Sequence, residues 1–561
     1  MTSLDWLVLA LVVLGIVGYG MWTARRNQGL SGYLKGGDLK WGTIGLSVMA
    51  TQASAITFLS TPGQGYESGL GFVQNYLGLP IALVIISAVF IPIYYRLNVT
   101  TAYEYLGQRF DEKTRLLGAA LFLIQRGFAA GITIYAPAII VSTIFGWSLG
   151  TTILTTGALV ILYTVTGGTR TVSLTQKYQM LVILFGMVVA FGYVVAGLPD
   201  DVSFTDALHL AGIQDRLQAV SLSFDPSERY TLWTGLVGGT FLALSYFGTD
   251  QSQVQRYLAG SSPSASRLGL MFNAVLKIPM QFGILLLGSL LFVYYQFQEP
   301  PIFFNQAAVE QVAEADRAPL EANFRELVDA RQPLLRQALA EQAATGAVSV
   351  GTRTAIADVN TEIEAQRDGF REALREANPD ADTEDADYIF IGFVLQNLPA
   401  GLVGLLVAVI FLAAMSSTAS ELNALAATGM VDFYKHLIRK DASEQHYVWV
   451  SKTLTLCWGV LSVSFAMTLT LFDNLIEAVN IIGSLFYGAI LGLFLIAFFL
   501  KRVGGHAAFL AGILAEVVVL SLYWSSLEIG YLWFNLIGCV LTIVFALALQ
   551  PLMPQRKPQT A

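Results

Sequence analysis

The chain has 561 residues, of which 55% are hydrophobic and only 13% are charged, about half the charged fraction of an average soluble domain. Its mean hydropathy is +0.59. A water-soluble fold of this length has too little interior to bury so much apolar surface. The composition therefore excludes a soluble enzyme and favours a protein that crosses a membrane several times.

Charge is unevenly distributed along the chain. The net charge is −8, but residues 299–387 alone hold 19 acidic and 8 basic side chains, so the remainder is slightly positive. This distribution does not indicate a nucleic-acid-binding surface. The two cysteines lie in apolar runs and the four histidines are scattered, which argues against a disulfide framework and against a zinc or haem site. We expect no nucleic-acid partner and no obligate protein partner.

A membrane-spanning helix needs about 20 mostly apolar residues. Thirteen stretches approach this pattern, and we number them span 0 to span 12. They are residues 4–24, 39–66, 72–96, 114–145, 149–167, 174–198, 231–256, 266–296, 388–430, 446–472, 474–500, 506–525 and 530–551. Span 0 lacks the basic start and the small-residue cleavage site of a signal peptide, so we interpret it as a retained span.

Lysine and arginine concentrate in alternate loops, for example at Arg25, Arg26 and Lys35 after span 0 and at Lys501 and Arg502 after span 10. Such residues mark the cytoplasmic side of a membrane protein. The alternation predicts a multi-pass protein of the cell (inner or plasma) membrane, with its N-terminus outside and its C-terminus in the cytoplasm.

The acidic segment 299–387 is the only sizeable part that is not apolar. Two stretches in it, 319–342 and 356–377, are rich in Ala, Glu, Arg, Leu and Gln at helical spacing and predict external amphipathic helices. The segment is either a solvated cap or hairpin, or a domain that docks a partner or shields the substrate. The sequence leaves both interpretations open.

Small and polar residues interrupt two of the apolar spans. Span 1 contains residues 50–57 (ATQASAIT) and then Pro-Gly-Gln-Gly at 62–65, and span 6 contains residues 245–251 (SYFGTDQ). Unwound backbone survives in a bilayer only where it is buried or lines a cavity, and its free carbonyls can bind a cation. Spans 1 and 6 are five apart, as in two inverted five-helix repeats, spans 1–5 and 6–10. Ordinary packing of small residues between helices is an equally good interpretation.

Span 8 contains adjacent hydroxyls at Ser416 and Ser417, shortly after Ala413. Two hydroxyls and a nearby carbonyl suit sodium, which prefers several uncharged or weakly charged oxygens. A serine pair is weak evidence by itself, because serines often donate to carbonyls of their own helix.

Several blocks of sequence match a known family in the right order. They are residues 50–70, 101–110 and 167–169, then Gln255-Arg256 followed by Lys277, and Ser416-Ser417 followed by residues 432–435. With these blocks the chain resembles the sodium/solute symporter family, which includes sodium-coupled sugar, proline, sialic acid, iodide, monocarboxylate and multivitamin transporters. The resemblance covers nearly everything outside 299–387.

The resemblance implies an all-α polytopic membrane protein of about 13 transmembrane helices, with a leucine-transporter-type core of two inverted five-helix repeats and broken helices 1 and 6. It implies a symporter that uses Na⁺, and not an enzyme. The family's main sodium site carries over to backbone carbonyls and hydroxyls in spans 1 and 8. These residues are Ala50, Ala53, Ala413, Ser416 and Ser417, in agreement with the interrupted span 1 and the serine pair.

One position departs from the family's pattern. Many members have an aspartate in span 5 that belongs to a second sodium site, and this chain has Gln176 there. A neutral amide lacks the charge that attracts a second cation. We therefore predict one coupled sodium, although Ser420 keeps the matching position in span 8.

The resemblance also indicates positions that face the solute. In the sugar-transporting branch these match Thr57, Asn75, Tyr76, Leu79, Ala243, Lys277 and Asn480. Tyr76, Ala243 and Leu79 replace polar residues of that branch, which argues against a typical sugar pocket because a sugar needs many directed hydrogen bonds. Tyr246 matches an aromatic that gates the inner side of sugar carriers, or it is a packing aromatic.

Other features resemble the iodide, monocarboxylate and multivitamin branch, whose members carry small anions. They are residues 131–138 in span 3 and the 101–109 loop. Arg126 lies near the middle of span 3, where it either binds a substrate carboxylate in bidentate fashion or forms an internal ion pair. Glu516 in span 11, outside the core repeats, is interpreted as structural or interfacial.

The sequence thus predicts a sodium-coupled symporter that imports a small organic solute by alternating access, with a small carboxylate or other anion as substrate. A sodium/sugar or polyol symporter, a transporter-like sensor and an uncoupled channel are the alternatives. The predicted divisions are 1–38 (extra helix and loop), 39–200 (first repeat), 201–230 (external loop), 231–298 (helices 6 and 7), 299–387 (insertion), 388–503 (helices 8 to 10) and 504–561 (helices 11 and 12 and tail).

Overall fold

The computed structural model describes residues 1–24, 38–379, 381–468 and 475–553. Its regular elements are helices, apart from one isolated bridge between Leu39 and Gly260. In this part of the chain ten helices are long and apolar enough to cross a membrane. The basic residues Arg25, Arg26 and Lys35 of the predicted cytoplasmic loop lie outside the described residues.

The first half of the core contains an interrupted helix. Span 0 is Ser3–Ala24, and span 1 consists of Trp41–Gln52 and Ala55–Ser68. A short 3-10 segment, Gly69–Tyr76, leads into span 2, which is Leu79–Ile85, Ile86–Phe90 and Ile91–Leu97. The helix Ala102–Arg109 precedes span 3, Glu112–Phe145, and spans 4 and 5 run together as Leu149–Ala196 with a kink at Gly168, where φ is 71°.

The second half begins with another interrupted helix. Span 6 includes Thr234–Gly238, Gly239–Gly248 and, after a break, Gln251–Leu258, and span 7 is Pro263–Phe297. Span 8 is Leu402–Thr428 continued by Gly429–Ile438. Spans 9 to 12 are Glu444–Ala466, Leu475–Phe499, Gly505–Tyr523 and Trp533–Leu549.

The stretch 388–430, predicted as one span, is two helices, and that prediction was wrong. A separate helix, Ala386–Asn397, ends before Pro399 and Gly401, where φ is 91°, and span 8 begins only at Leu402. The separate helix packs on the second half of span 1 so closely that a Cβ on Gly63 would lie 2.0 Å from the Ala386 carbonyl oxygen. It is apolar because protein covers it, and the sequence pattern cannot tell this from contact with lipid.

The acidic insertion is a helical hairpin, as its composition predicts. Its helices are Glu314–Thr345 and Val350–Ala377. They form a small apolar core of their own, which includes Phe324, Val328 and Phe370. Arg336 forms an exposed ion pair with Asp201, 3.0 Å away, which links the hairpin to the loop after span 5.

Span 7 packs against span 1 through small residues. A Cβ on Gly288 would lie 2.0 Å from the Pro62 carbonyl oxygen, and one on Gly65 would lie 2.3 Å from the Leu285 carbonyl oxygen. Such close approach of backbones is how helices gain packing contacts in a bilayer. It places the second half of span 1 firmly between span 7 and the helix Ala386–Asn397.

Candidate functional site

The break in span 1 is two residues long. Its first half ends at Gln52, Ala53 takes a non-helical conformation (φ −85°, ψ 75°), Ser54 is extended (φ −74°, ψ 176°), and the helix resumes at Ala55. A helix end leaves carbonyl groups without their usual intrahelical donors. The interruption predicted from the small, polar run is therefore present, at the position where carbonyl oxygens were expected to become free.

Span 8 lies directly against this break. The Ser416 hydroxyl donates to the Ala50 carbonyl oxygen at 3.2 Å and to the Ala413 carbonyl oxygen at 2.9 Å. The Ser417 hydroxyl donates to the same Ala413 oxygen at 3.0 Å. All these residues, and Ala53 at the break, are buried. The structure thus brings Ala50, Ala413 and Ser416 into contact, with Ser417 on the same Ala413 carbonyl.

Chemically, this group consists of uncharged oxygens with no carboxylate among the five residues. Each hydroxyl donates to a carbonyl here, and rotation about its C–O bond would turn a lone pair towards a cation instead. Carbonyl and hydroxyl oxygens suit hard monovalent cations better than transition metals. In the described residues, no cluster of His, Cys, Asp and Glu could hold a metal ion.

The side chain of Gln176, in span 5, contacts both span 1 and span 8. Its amide nitrogen donates to the Thr51 hydroxyl at 3.1 Å, the Ser416 carbonyl at 3.0 Å and the Ser420 hydroxyl at 2.8 Å. Its amide oxygen accepts from the Ser47 hydroxyl at 2.5 Å. The side chain is fully buried, so a protein nitrogen lies where these three oxygens converge.

A cavity of about 100 Å³ lies beside the break. Its wall includes Thr51, Gln52 and Ser54 from the break itself, so the cavity and the interrupted helix are contiguous. Six of the residues predicted to contact the solute line it: Thr57, Asn75, Tyr76, Arg126, Tyr246 and Asn480. The apolar replacements Leu79 and Ala243 line it too.

Lys277, the seventh predicted contact, is not in the wall. Its ammonium lies 5.3 Å from the centre of the Tyr76 ring, on which it packs. The side chain is fully buried, and among the described residues its nitrogen has no hydrogen-bond partner. Tyr76 therefore separates the buried amine of Lys277 from the cavity.

Arg126 lines the cavity, but protein groups hold its guanidinium. Nε donates to Asp250 Oδ2 at 3.0 Å, Nη1 donates to Glu421 Oε1 at 3.1 Å, and Nη2 donates to Asp250 Oδ2 and to the Tyr487 hydroxyl. The geometry is that of an internal ion-pair network, the second of the two interpretations of Arg126. A bidentate contact with a substrate carboxylate would first have to displace these partners.

Asp250 lies at the break in span 6. Its Oδ1 accepts from the backbone nitrogen of Ser252 at 2.8 Å and from the Ser252 hydroxyl at 2.6 Å, which caps the half-helix that begins at Gln251. Its Oδ2 faces Arg126 and accepts from the Tyr487 hydroxyl at 2.8 Å. One carboxylate thus joins the interrupted span 6 to spans 3 and 10.

Tyr246 also contacts this network. The Arg126 guanidinium lies 5.3 Å from the centre of its ring, and its hydroxyl accepts from Gln253 Nε2 at 2.6 Å. Both interpretations of Tyr246, as a cavity-facing aromatic and as a packing aromatic, agree with this position.

Sequence reasoning missed Glu421 and Tyr487, and it included Asp250 only as part of a polar run. A signal for Glu421 was present, because it is a carboxylate inside an apolar span, four residues after Ser417 and hence on the same helix face. Nothing in the sequence connects Tyr487 to Arg126, which lies hundreds of residues away.

A cavity bounded by two interrupted helices in a polytopic helical protein is the arrangement found in many secondary membrane transporters. The model of the sodium:solute symporter family matches residues 33–322 and 370–515, and the chain belongs to this family. Sodium-coupled symport with Na⁺ as the coupling ion, predicted from sequence, is confirmed by this membership. The family consists of transporters, so the chain is not an enzyme.

The chain is similar in sequence to several proteins that are named for different solutes. The sodium/iodide cotransporter of Homo sapiens is 34% identical over 313 residues, 55% of this chain and 48% of that protein, so the match spans about half of its length. Sodium-coupled monocarboxylate transporter 1 of Xenopus laevis is 28% identical over 91% of this chain and 71% of its own. The sodium-dependent multivitamin transporter of Oryctolagus cuniculus is 26% identical over 92% and 69%, respectively.

The fold is also found among solved structures. A substrate-bound, outward-open Na⁺-coupled sialic acid symporter matches with a TM-score of 0.76 and 23% identity over 99% of both chains. The predicted fold class, an all-α polytopic protein with a leucine-transporter-type core, is confirmed.

Proposed function

We propose that this protein imports a small organic solute together with one sodium ion per cycle, by alternating access. The observation that carries the proposal is the contact between the interrupted span 1 and span 8, where the Ser416 hydroxyl lies 3.2 Å from the Ala50 carbonyl oxygen beside the cavity. The proposed sodium ligands are Ala50, Ala53, Ala413, Ser416 and Ser417.

The cation links the two spans mechanically. Sodium bound between spans 1 and 8 holds them together while the solute enters the cavity between the broken helices. When one helix group rocks against the other, the ligands on span 1 separate from those on span 8 and the ion leaves. Coupling follows because the same interrupted segment supplies both the ion site and, through Thr51, Gln52 and Ser54, the cavity wall.

We propose a solute that carries a carboxylate. The relatives' names include iodide, monocarboxylates and vitamins, and the basic side chain of Lys277, which pairs with a carboxylate when protonated, lies behind the cavity wall. Contact with its ammonium requires the Tyr76 ring to turn aside. The apolar side chains of Leu79 and Ala243 in the wall disfavour the sugar or polyol alternative.

We further propose that the protein lies in the cell membrane with its N-terminus and the 299–387 hairpin outside and its C-terminus in the cytoplasm. The alternation of basic loops supports this orientation. Protease treatment of intact and of inside-out vesicles tests it, because the hairpin should be cut only when the outer face is accessible.

Uptake by purified protein in liposomes tests the transport proposal. The probes are radiolabelled monocarboxylates, amino acids, sugars and iodide, under an inward sodium gradient or a matched potassium gradient. The expected result is saturable accumulation of at least one carboxylate above its external concentration, only with sodium. Flux that does not saturate would indicate a channel, and sodium binding without uptake of any probe would indicate a sensor.

A further inference from the structure

Glu421 is a cavity-lining residue with one unpaired carboxyl oxygen in the part of the chain that the structure describes. It lines the cavity wall and is only 5% exposed. Its Oε1 accepts from Arg126 Nη1 at 3.1 Å and from the Thr133 hydroxyl at 3.5 Å. Its Oε2 is buried and, among the described residues, has no hydrogen-bond partner. A buried carboxylate oxygen without a donor carries a substantial desolvation cost.

The charges around Glu421 do not cancel. Among the described residues, Arg126 is the one cation in direct contact with it, and Arg126 also pairs with Asp250. Asp250 has further donors in Ser252 and Tyr487, whereas Glu421 shares the guanidinium and, in the described part of the chain, has no donor to its second oxygen. With both carboxyls ionised, one positive and two negative groups would leave the network with an excess negative charge, and Glu421 is the carboxyl whose second oxygen has no donor among the described residues.

The surrounding wall suits a positively charged nitrogen. Tyr246 and Tyr487 line the same cavity, and aromatic rings attract ammonium groups through their faces. Two further wall residues, Gln52 and Asn75, have side-chain oxygens without partners among the described residues. These oxygens add acceptors beside the cavity, and acceptors are complementary to N–H donors.

We propose that Glu421 binds a protonated amine of the transported solute, through Oε2. This inference rests on the proposed function and narrows its substrate class: a solute that carries a carboxylate and an amine is a small amino acid or a similar zwitterion. An amine at Glu421 satisfies the free oxygen and balances the network's charge, whereas a simple anion would face a carboxylate of its own sign.

The net charge moved per cycle separates the two classes of solute. One sodium with a monocarboxylate moves no net charge, whereas one sodium with a zwitterion moves one positive charge inward. Amino acid uptake should therefore increase when a valinomycin-clamped potassium gradient makes the liposome interior negative.

Pairs of solutes that differ only in the nitrogen test the proposal. Alanine is compared with isobutyrate, and proline with cyclopentanecarboxylate, as competitors and as substrates in sodium-loaded proteoliposome assays. For the wild type we expect the nitrogen-bearing member of at least one pair to be preferred roughly tenfold or more. The solute without nitrogen cannot donate a hydrogen bond to Glu421 and leaves its carboxylate unpaired.

Two variants test whether Glu421 is the residue that causes the preference for the nitrogen-bearing solute. Glu421→Gln keeps an oxygen for Arg126 but removes the charge, and it should reduce the preference to within about threefold. Glu516→Gln is the matched control, because Glu516 is another buried carboxylate with both oxygens unpartnered among the described residues and lies in span 11, away from the cavity. It should keep the wild-type preference. Sodium-induced thermal stabilisation verifies that each variant is folded.

Several results would overturn the inference. If the wild type preferred isobutyrate and cyclopentanecarboxylate, Glu421 would instead carry a proton that is transported with an anion. If Glu421→Gln kept the wild-type preference, Glu421 would not bind the solute. A sodium Hill coefficient above one in the wild type that falls to one in Glu421→Gln, with unchanged preference, would make Glu421 part of a second cation site. Failure of every nitrogen-bearing probe also contradicts the inference, whereas failure of the proposed function would appear as no sodium-dependent uptake of any probe.

Discussion

The amide nitrogen of Gln176 donates a hydrogen bond to the Ser420 hydroxyl at 2.8 Å, inside a fully buried group of oxygens from spans 1 and 8. The same nitrogen contacts Thr51 and the Ser416 carbonyl. An amide N–H thus satisfies acceptors that a cation would otherwise satisfy. Spans 1, 5 and 8 are joined here by hydrogen bonds within the protein.

Gln176→Asp should create a second cation site. The shorter, charged side chain removes the nitrogen and supplies a carboxylate next to the Thr51 and Ser420 hydroxyls, an environment that attracts a cation. The Hill coefficient for sodium in uptake should rise from about one towards two. Gln176→Asn is the control, because it has the same length without the charge; a coefficient near one in both variants would contradict the prediction.

Arg126→Gln should destabilise the protein more than it changes solute specificity. Its removal leaves Asp250 and Glu421 buried without their cation, and breaking a buried pair in this way costs about 3–5 kcal/mol. Thermal unfolding in detergent should show a clearly lower Tm, and the double variant Arg126→Gln/Asp250→Asn should recover part of the loss. A wild-type Tm together with lost carboxylate uptake would instead make Arg126 a direct ligand of the solute.

The Asp387→Asn substitution should make the thermal stability of the protein less dependent on pH. Asp387 lies in the first turn of the helix Ala386–Asn397, which covers span 1, and burial raises the pKa of its carboxyl to about 7, against about 3.9 in an unfolded chain. The folded state therefore binds this proton more tightly than the unfolded state does. The stabilisation that the protonated carboxyl contributes is complete below about pH 4 and is lost as the pH rises to about 7.

Measured Tm values at pH 5 and pH 8 test this expectation. The wild type should lose more stability over that interval than Asp387→Asn, which should be the more stable of the two at the higher pH. Asp358→Asn, on an exposed face of the hairpin, is the control and should follow the wild type. Equal pH dependence in all three proteins would contradict the prediction.

The interruptions in spans 1 and 6 were predictable from sequence because small and polar residues in an apolar run are a local signal. The serine pair at 416 and 417 was found for the same reason. The partners of Arg126 were not predictable, since Asp250, Glu421 and Tyr487 lie on three other spans and meet only through tertiary packing.

Two further features of the structure could not be predicted from the sequence, and each has a physical reason. Residues 386–397 are as apolar as a membrane span although protein covers them, so hydrophobicity alone merged them with span 8. The neutral character of Gln176 indicated the lack of a charged ligand, but its simultaneous contact with Ser47, Thr51 and Ser420 depends on how spans 1, 5 and 8 pack.

Sodium binding by Ser417→Ala tests the central claim most directly, because that claim is a cation held between the break in span 1 and the hydroxyls of span 8. Sodium-induced thermal stabilisation of purified protein, titrated against potassium, gives the apparent affinity. Ser451→Ala is the matched control, since Ser451 is equally buried and also donates to the carbonyl four residues earlier, but in span 9. The account predicts at least a roughly tenfold loss of sodium affinity in Ser417→Ala alone; wild-type affinity in that variant would contradict it.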